Sequence, residues 1–205
     1  MAFYVRDPIL SIVEDRAAFI ETLIQEYPRL INDWENSMDD KFQEEAEIIS
    51  EGDPDIMLSV LSQMREAFSD RENRLDLFNK AMLMLTFSYF DSLATILSKG
   101  ANPSEKIKAL CRSKNIELSN VAEEANKFLK SKVIKIRNCI THDFSNRPNK
   151  QKEIKDICLE LDGIDFVDEE IKIYDSNFVI DVLNKEKLVL SEVCKKIGYK
   201  HKKIN

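Results

Sequence analysis

The sequence has few of the residues that bend a chain: four glycines and five prolines among 205 residues. A β-sandwich needs many tight turns, and a disordered chain is poor in apolar residues. Here 43% of the residues are hydrophobic, which is enough to form a core. The composition therefore disfavours both classes and predicts one folded domain.

A long hydrophobic run is also missing. The longest strongly apolar run, Ala81 to Phe87, is far shorter than the roughly 20 residues that a membrane-spanning helix needs. The first ten residues include Arg6 and Asp7 and lack the apolar stretch of a secretory signal. We therefore expect a cytoplasmic protein with no membrane partner.

Cysteine and histidine are scarce and scattered. No cysteine pair has the C-x-x-C spacing of a zinc site, and no histidine lies at ligand spacing from a cysteine. We expect reduced, mostly buried thiols and neither a metal nor another cofactor. The cysteines are Cys111, Cys139, Cys158 and Cys194.

The hydrophobic periodicity is helical almost throughout. Pro28 is expected to kink or split the first helical stretch, because proline starts a helix more easily than it continues one. An alternating pattern from Ile164 to Tyr174 predicts a small β-hairpin, and a basic tail follows the last helix. Helices are predicted at about 8–49, 55–68, 71–99, 103–112, 119–142 and 176–197, and Asn146 to Asn149 break the pattern.

These elements predict an all-α helical bundle with a small β-hairpin before the C-terminal helix. We expect a single domain over residues 1–205, with an N-terminal helical extension at 1–70 and a core at 71–155. Residues 156–205 hold the hairpin, the last helix and the tail. The helix at 71–99 is apolar nearly all round in its middle, so other helices or a second subunit should bury it.

One constellation stands out near the end of the helix at 119–142. Asn138 and His142 are four residues apart and should lie on the face opposite the core stripe, and Arg137 lies at the border of the two faces. Ser131 should share the polar face. The core stripe consists of Leu129, Val133, Ile136 and Ile140.

These three residue types suit the handling of a phosphodiester. Histidine titrates near neutral pH and can move a proton. Arginine can hold a phosphate through two hydrogen bonds, and asparagine can donate to a phosphate oxygen without adding charge. With no acidic cluster nearby to bind a metal, the nucleophile for RNA would be its own 2′-hydroxyl. A plain alternative is that His142 only complements the dipole at the helix C-terminus.

Arg137, Asn138 and His142 resemble the motif of the HEPN superfamily, in which an arginine, often followed by asparagine, precedes a histidine by four to six residues. The resemblance covers about residues 71–155. It implies a homodimeric, metal-independent endoribonuclease with a composite active site, which leaves a 2′,3′-cyclic phosphate. It also implies a role as a toxin or phage-defence effector, with an antitoxin or defence protein as a further partner.

Charge is distributed unevenly along the chain. The net charge is −7, but residues 127–155 hold nine basic and two acidic side chains, whereas residues 1–60 hold four basic and fifteen acidic ones. The basic segment coincides with the motif, as an RNA-binding cleft requires, although such a segment is often only a solvated helix face. We expect Lys130, Lys135, Arg147 and Lys150 to bind RNA.

Two other functions remain open at this point. A non-catalytic helical binding or regulatory module of a toxin–antitoxin or defence complex would account for the acidic N-terminal half. A nucleotidyl-modified or nucleotide-binding HEPN relative would have a mononucleotide as its target rather than an RNA strand. The acidic N-terminal helices could mask the basic cleft, dock a partner or only keep the protein soluble.

Overall fold

A computed structural model describes residues 3–5, 7–67, 71–100, 102–142, 147–199 and 202–204. The predicted break at Asn146 and the tail residues Lys200 and His201 lie outside these residues. The helices are α1 (Pro8–Ser50), α2 (Pro54–Ala67), α3 (Arg71–Leu97), α4 (Pro103–Lys114), α5 (Asn120–Phe128), α6 (Ile134–Thr141), α7 (Pro148–Cys158) and α8 (Ser176–Lys196). The strands are β1 (Phe3–Val5), β2 (Ile164–Val167), β3 (Glu170–Ile173) and β4 (Lys202–Ile204).

The all-α class and the small hairpin before the C-terminal helix are confirmed. Helix α7, which begins at Pro148, was not predicted as a separate element. None of the described helices combines the length and apolarity that crossing a bilayer requires.

Helix α1 is one helix of 43 residues and is not split at Pro28. A proline inside a helix costs about 3 kcal/mol because it removes a hydrogen bond and crowds the preceding turn. Packing on both sides of the proline offsets this cost. The first part of α1 packs on α8 and α3, and the ring of Tyr27 stacks on Phe78 of α3 with centroids 3.7 Å apart.

The main core includes residues from every described helix except α2, and also from the β2–β3 hairpin. Helix α8 lies at its centre and packs against α1, α3 and α5. Its buried side chains include Val182, Leu190 and Val193, each fully shielded from solvent. The first half of α1, from Leu10 to Ile24, belongs to this same core.

The distal half of α1 packs instead against α2. A separate small cluster of Phe42, Ala46 and Leu61 joins the two helices. Residues 33–63 carry ten acidic side chains and one lysine. The acidic charge of the N-terminal region is therefore concentrated on a part of α1 and α2 that packs apart from the main core.

The two chain ends are joined by a short antiparallel pair of strands. Strand β1 pairs with β4, with Tyr4 opposite Lys203. The sequence indicated only a basic tail after the last helix, whereas residues 202–204 of it form a strand. The sequence did not predict this pairing, because three residues are too few to show the alternation of apolar and polar side chains that indicates a strand.

Two buried polar residues of α3 hold the β2–β3 hairpin. The Asp76 carboxylate accepts a hydrogen bond from the Ile173 amide at 2.8 Å, and the Asn79 side chain donates to the Ile173 carbonyl at 2.9 Å. Ser176, at the start of α8, donates to Asn79. These hydrogen bonds fix the backbone of β3 to α3 and to the start of α8. The hairpin therefore has a defined position next to α6.

Candidate functional site

The motif residues lie on a helix that is interrupted once. Ser119 caps α5 through the Ala122 amide, and a π-helical turn at Leu129–Val133 connects α5 to α6. A π-helical turn is wider than an α-helical one and shifts the direction of the side chains that follow. Even so, Leu129, Val133 and Ile136 are buried and Ile140 is half-buried. The predicted core stripe is therefore confirmed. Such single π turns occur frequently at functional sites.

Arg137 packs across the neighbouring helix α3. Its guanidinium carbon lies 5.2 Å from the ring centroid of Phe87, and one terminal nitrogen donates to the Asn138 side-chain oxygen at 3.0 Å. Its Nε atom is buried and has no hydrogen-bond partner. Arg137 is therefore held by a cation–π contact and by the adjacent asparagine, with part of its hydrogen-bonding capacity unused.

His142 ends the helix. Its backbone is extended, its side chain is exposed, and its amide donates to the Asn138 carbonyl at 3.0 Å. The side chain lines a cleft of about 640 Å³ between α3, the end of α6 and the turn of the hairpin. The other lining residues are Leu77, Lys80, Ala81, Met84, Cys139, Ile140, Thr141, Glu169, Glu170 and Ile171.

Within one chain the motif is only partly brought together. His142 lines the cleft, but Arg137 and Asn138 do not. Arg137 lies over Phe87, whereas the cleft includes Met84, one turn earlier on α3. The arginine and the histidine therefore lie near neighbouring turns of α3 but do not line the same cleft.

The other groups at the cleft include a thiol and a lysine that is paired with a carboxylate. Burial raises the pKa of the Cys139 thiol, only partly countered by Lys80, so the thiol stays protonated and a poor nucleophile at neutral pH. The Lys80 ammonium is paired with the Asp76 carboxylate at 2.7 Å. Among the described residues no group of three or more histidine, cysteine or acidic side chains is placed to bind a metal.

Helix α3 leaves one face uncovered in the single chain. Leu77, Leu85 and Ile96 are 65%, 38% and 63% exposed along this face. Three smaller exposed residues, Ala81, Ser88 and Ser92, lie between them at helical spacing. The stripe spans about 28 Å, at about 1.5 Å per residue. The sequence predicted that other helices or a second subunit bury this helix, but it did not indicate which face stays open.

Ion pairs offset part of the positive charge near the motif. Lys135 and Lys150 both pair with Glu153, at 2.7 and 3.0 Å, and Lys132 pairs with Glu160 at 2.8 Å. Lys130 pairs with Glu105 of α4. Of the predicted RNA-binding residues, Lys130, Lys135 and Lys150 therefore already hold a carboxylate, and Arg147 is exposed just before α7.

Comparison with known proteins adds no identification, since no family model, no curated protein and no solved structure matches this chain.

Proposed function

We propose that this chain is a metal-independent endoribonuclease of HEPN type that acts as a homodimer. The observation that carries the proposal is the position of the motif. Arg137 and Asn138 lie in the last turns of α6, and His142 follows at the wall of a cleft beside the uncovered face of α3.

A second copy on the α3 face would complete the site. Burying exposed leucine and isoleucine side chains is favourable by about 25 cal/mol per Å², and contiguous apolar stripes often mark interfaces. A two-fold interface uses the same surface on both chains. Phe87 lies next to the stripe, one residue before Ser88, so the arginine over it would lie at the edge of such an interface, near the histidine cleft.

In the proposed reaction His142 accepts the proton of the RNA 2′-hydroxyl. The 2′-oxygen then attacks phosphorus, the bond to the 5′-oxygen breaks, and the protonated His142 returns its proton to the departing 5′-oxygen. The products are a 2′,3′-cyclic phosphate and a 5′-hydroxyl. Arg137 stabilises the negative charge that builds on the phosphoryl oxygens. Asn138 uses its side-chain oxygen to hold Arg137, so its amide nitrogen is the group that donates to the phosphate.

The lysine ion pairs are compatible with RNA binding. Exposed pairs of this kind contribute at most about 1 kcal/mol, so a phosphate can replace the carboxylate at small cost. Lys127, Lys152 and Lys155 are exposed and take part in none of the described ion pairs. They offer further positive charge on α5 and α7.

Purified protein incubated with total RNA and with tRNA in EDTA tests the proposal. We expect cleavage with cyclic phosphate ends, and its loss in the variants Arg137→Ala and His142→Ala. His201→Ala is the matched control, because it removes the only other histidine. Circular dichroism checks the fold, since Arg137→Ala also loses the contact with Phe87. Undiminished cleavage by both motif variants would refute the assignment.

The second candidate is a non-catalytic binding or regulatory module. It is favoured by one observation, that Arg137 is engaged with Phe87 and Asn138 and does not enter the cleft of His142. A protein of this kind would bind RNA or a partner protein through α6 without cleaving it. Arg137→Ala and His142→Ala would then weaken binding, and no cyclic phosphate would form. Either function is compatible with a role in toxin–antitoxin or phage-defence systems.

A further inference from the structure

The cleft beside His142 has the composition of a site for a flat, partly polar ligand. Its volume of about 640 Å³ is within the usual range of ligand pockets, about 300–1,000 Å³. Its apolar lining comes from Met84 of α3, Ile140 of α6 and Ile171 of β3, and from Leu77, which also belongs to the uncovered face of α3. A nucleobase offers such a surface two apolar faces, while its edge requires polar partners.

A carboxylate at the turn of the hairpin supplies such a partner. Glu169 and Glu170 both line the cleft, and Glu170 lies 3.5 Å from Lys172. Glu169 takes part in none of the described ion pairs or side-chain hydrogen bonds. A carboxylate without a partner can accept two hydrogen bonds side by side.

Glu169 lies in a turn whose backbone conformation is strained for residues other than glycine. Asp168 and Glu169 have φ angles of +50° and +65°, in the left-handed region that favours glycine. Asp76 and Asn79 fix β3 to α3, so the turn has a defined position relative to His142. Glutamate therefore occupies a position where glycine would be less strained, at the wall of the cleft.

We propose that this cleft binds the guanine base of the nucleotide next to the scissile phosphate, with Glu169 as the residue that determines specificity. Guanine is the RNA base with two adjacent donors, N1–H and N2–H₂, on its Watson–Crick edge, which match the two oxygens of one carboxylate. Uracil presents one donor between two carbonyls, which the carboxylate repels. This inference names the substrate class of the proposed ribonuclease and rests on that function only for the cleavage step.

Binding and cleavage test the inference separately. Guanosine 3′-monophosphate and uridine 3′-monophosphate are titrated into the full chain, and NMR follows the His142 ring and the Met84 methyl group. We expect guanosine monophosphate to bind roughly tenfold or more tightly, the discrimination of one bidentate base contact. Glu169→Gln and Glu169→Gly should both abolish this preference, and Glu124→Gln, at an exposed glutamate of α5 outside the cleft, should preserve it. Glu169→Gly keeps the turn without strain and so separates the carboxylate from the backbone.

Each outcome decides the inference. Equal binding of the two nucleotides, or a guanine preference that persists in both Glu169 variants, overturns it even if the protein cleaves RNA. A guanine preference that disappears in both variants supports it even if the protein cleaves nothing, and in that case the proposed ribonuclease function fails alone. If cleavage occurs, mapping the cut sites should show guanine enrichment that Glu169→Gln removes.

Discussion

Replacing Glu186 with methionine should stabilise the protein, and the gain should grow as the pH rises. Glu186 lies on α8, is fully buried, and neither carboxyl oxygen has a hydrogen-bond partner. Burial raises its pKa well above the usual value for glutamate. The Tyr89 hydroxyl donates instead to the Val13 carbonyl at 2.8 Å, and its pKa is also raised, chiefly by burial and then by Glu186.

The size of the effect follows from two terms. A buried polar group with no partner costs about 1–3 kcal/mol, which methionine of similar volume removes. The second term depends on pH, because the carboxyl ionises near pH 4.3 in the unfolded chain and at a higher pH in the folded one. The stability that its protonation provides is therefore present below that unfolded pKa and is lost as the pH rises towards the folded pKa, at about 1.4 kcal/mol per pH unit.

Urea denaturation of the wild type and of Glu186→Met at about pH 5, 6 and 7 measures both terms. We expect a gain of about 1–3 kcal/mol from the polar group, plus about 1.4 kcal/mol for each pH unit up to the folded pKa. Glu186→Gln is the control, because it keeps a polar group but does not titrate, so its difference from the methionine variant should not change with pH. A gain of Glu186→Met over the wild type that is the same at all three pH values would refute the reasoning.

Two further predictions concern the packing of the fold. Asn79→Ala should cost about 1–3 kcal/mol by leaving the Ile173 carbonyl without its buried donor, and hydrogen exchange of the β2–β3 amides should accelerate. Asn149→Ala, at an exposed asparagine of α7, is the control and should change neither quantity; equal effects of the two variants would contradict the proposed anchoring. Leu61→Ala should open α2 and the distal half of α1 while exchange in α8 stays slow, because Leu61 belongs to the separate small cluster. Uniformly faster exchange would show that the two clusters unfold together.

The helices could be predicted because their signals are local. Helix α4 begins at the predicted Pro103, with Asn102 as its N-cap. Helix α5 begins at Asn120, one residue after the predicted start, with Ser119 as its N-cap. The alternation around Asp168 likewise predicted the hairpin. Features set by distant contacts were missed or wrong. Pro28 lies inside a helix because Tyr27 and the flanking turns are packed, and β1 meets β4 from the other end of the chain.

The site could be predicted only as far as one helix determines it. Arg137, Asn138 and His142 are at the predicted place at the end of α6, and their roles stay predictions. The contacts of Arg137 with Phe87, and of the hairpin with Asp76 and Asn79, join residues far apart in sequence. No local pattern reveals such contacts. The burial of three polar residues could not be predicted either, because their polarity alone suggests exposed positions. These residues are Asp76, Asn79 and Glu186.

Mixing two inactive variants tests the composite site most directly. Arg137→Ala chains lack the arginine and His142→Ala chains lack the histidine, so neither homodimer should cleave RNA. If each site takes Arg137 from one chain and His142 from the other, a mixed dimer contains one site with both residues. Co-refolded mixtures should then regain EDTA-resistant cleavage, at a fraction of the wild-type rate. Mixtures that form mixed dimers and remain inactive would contradict a site shared across the two chains.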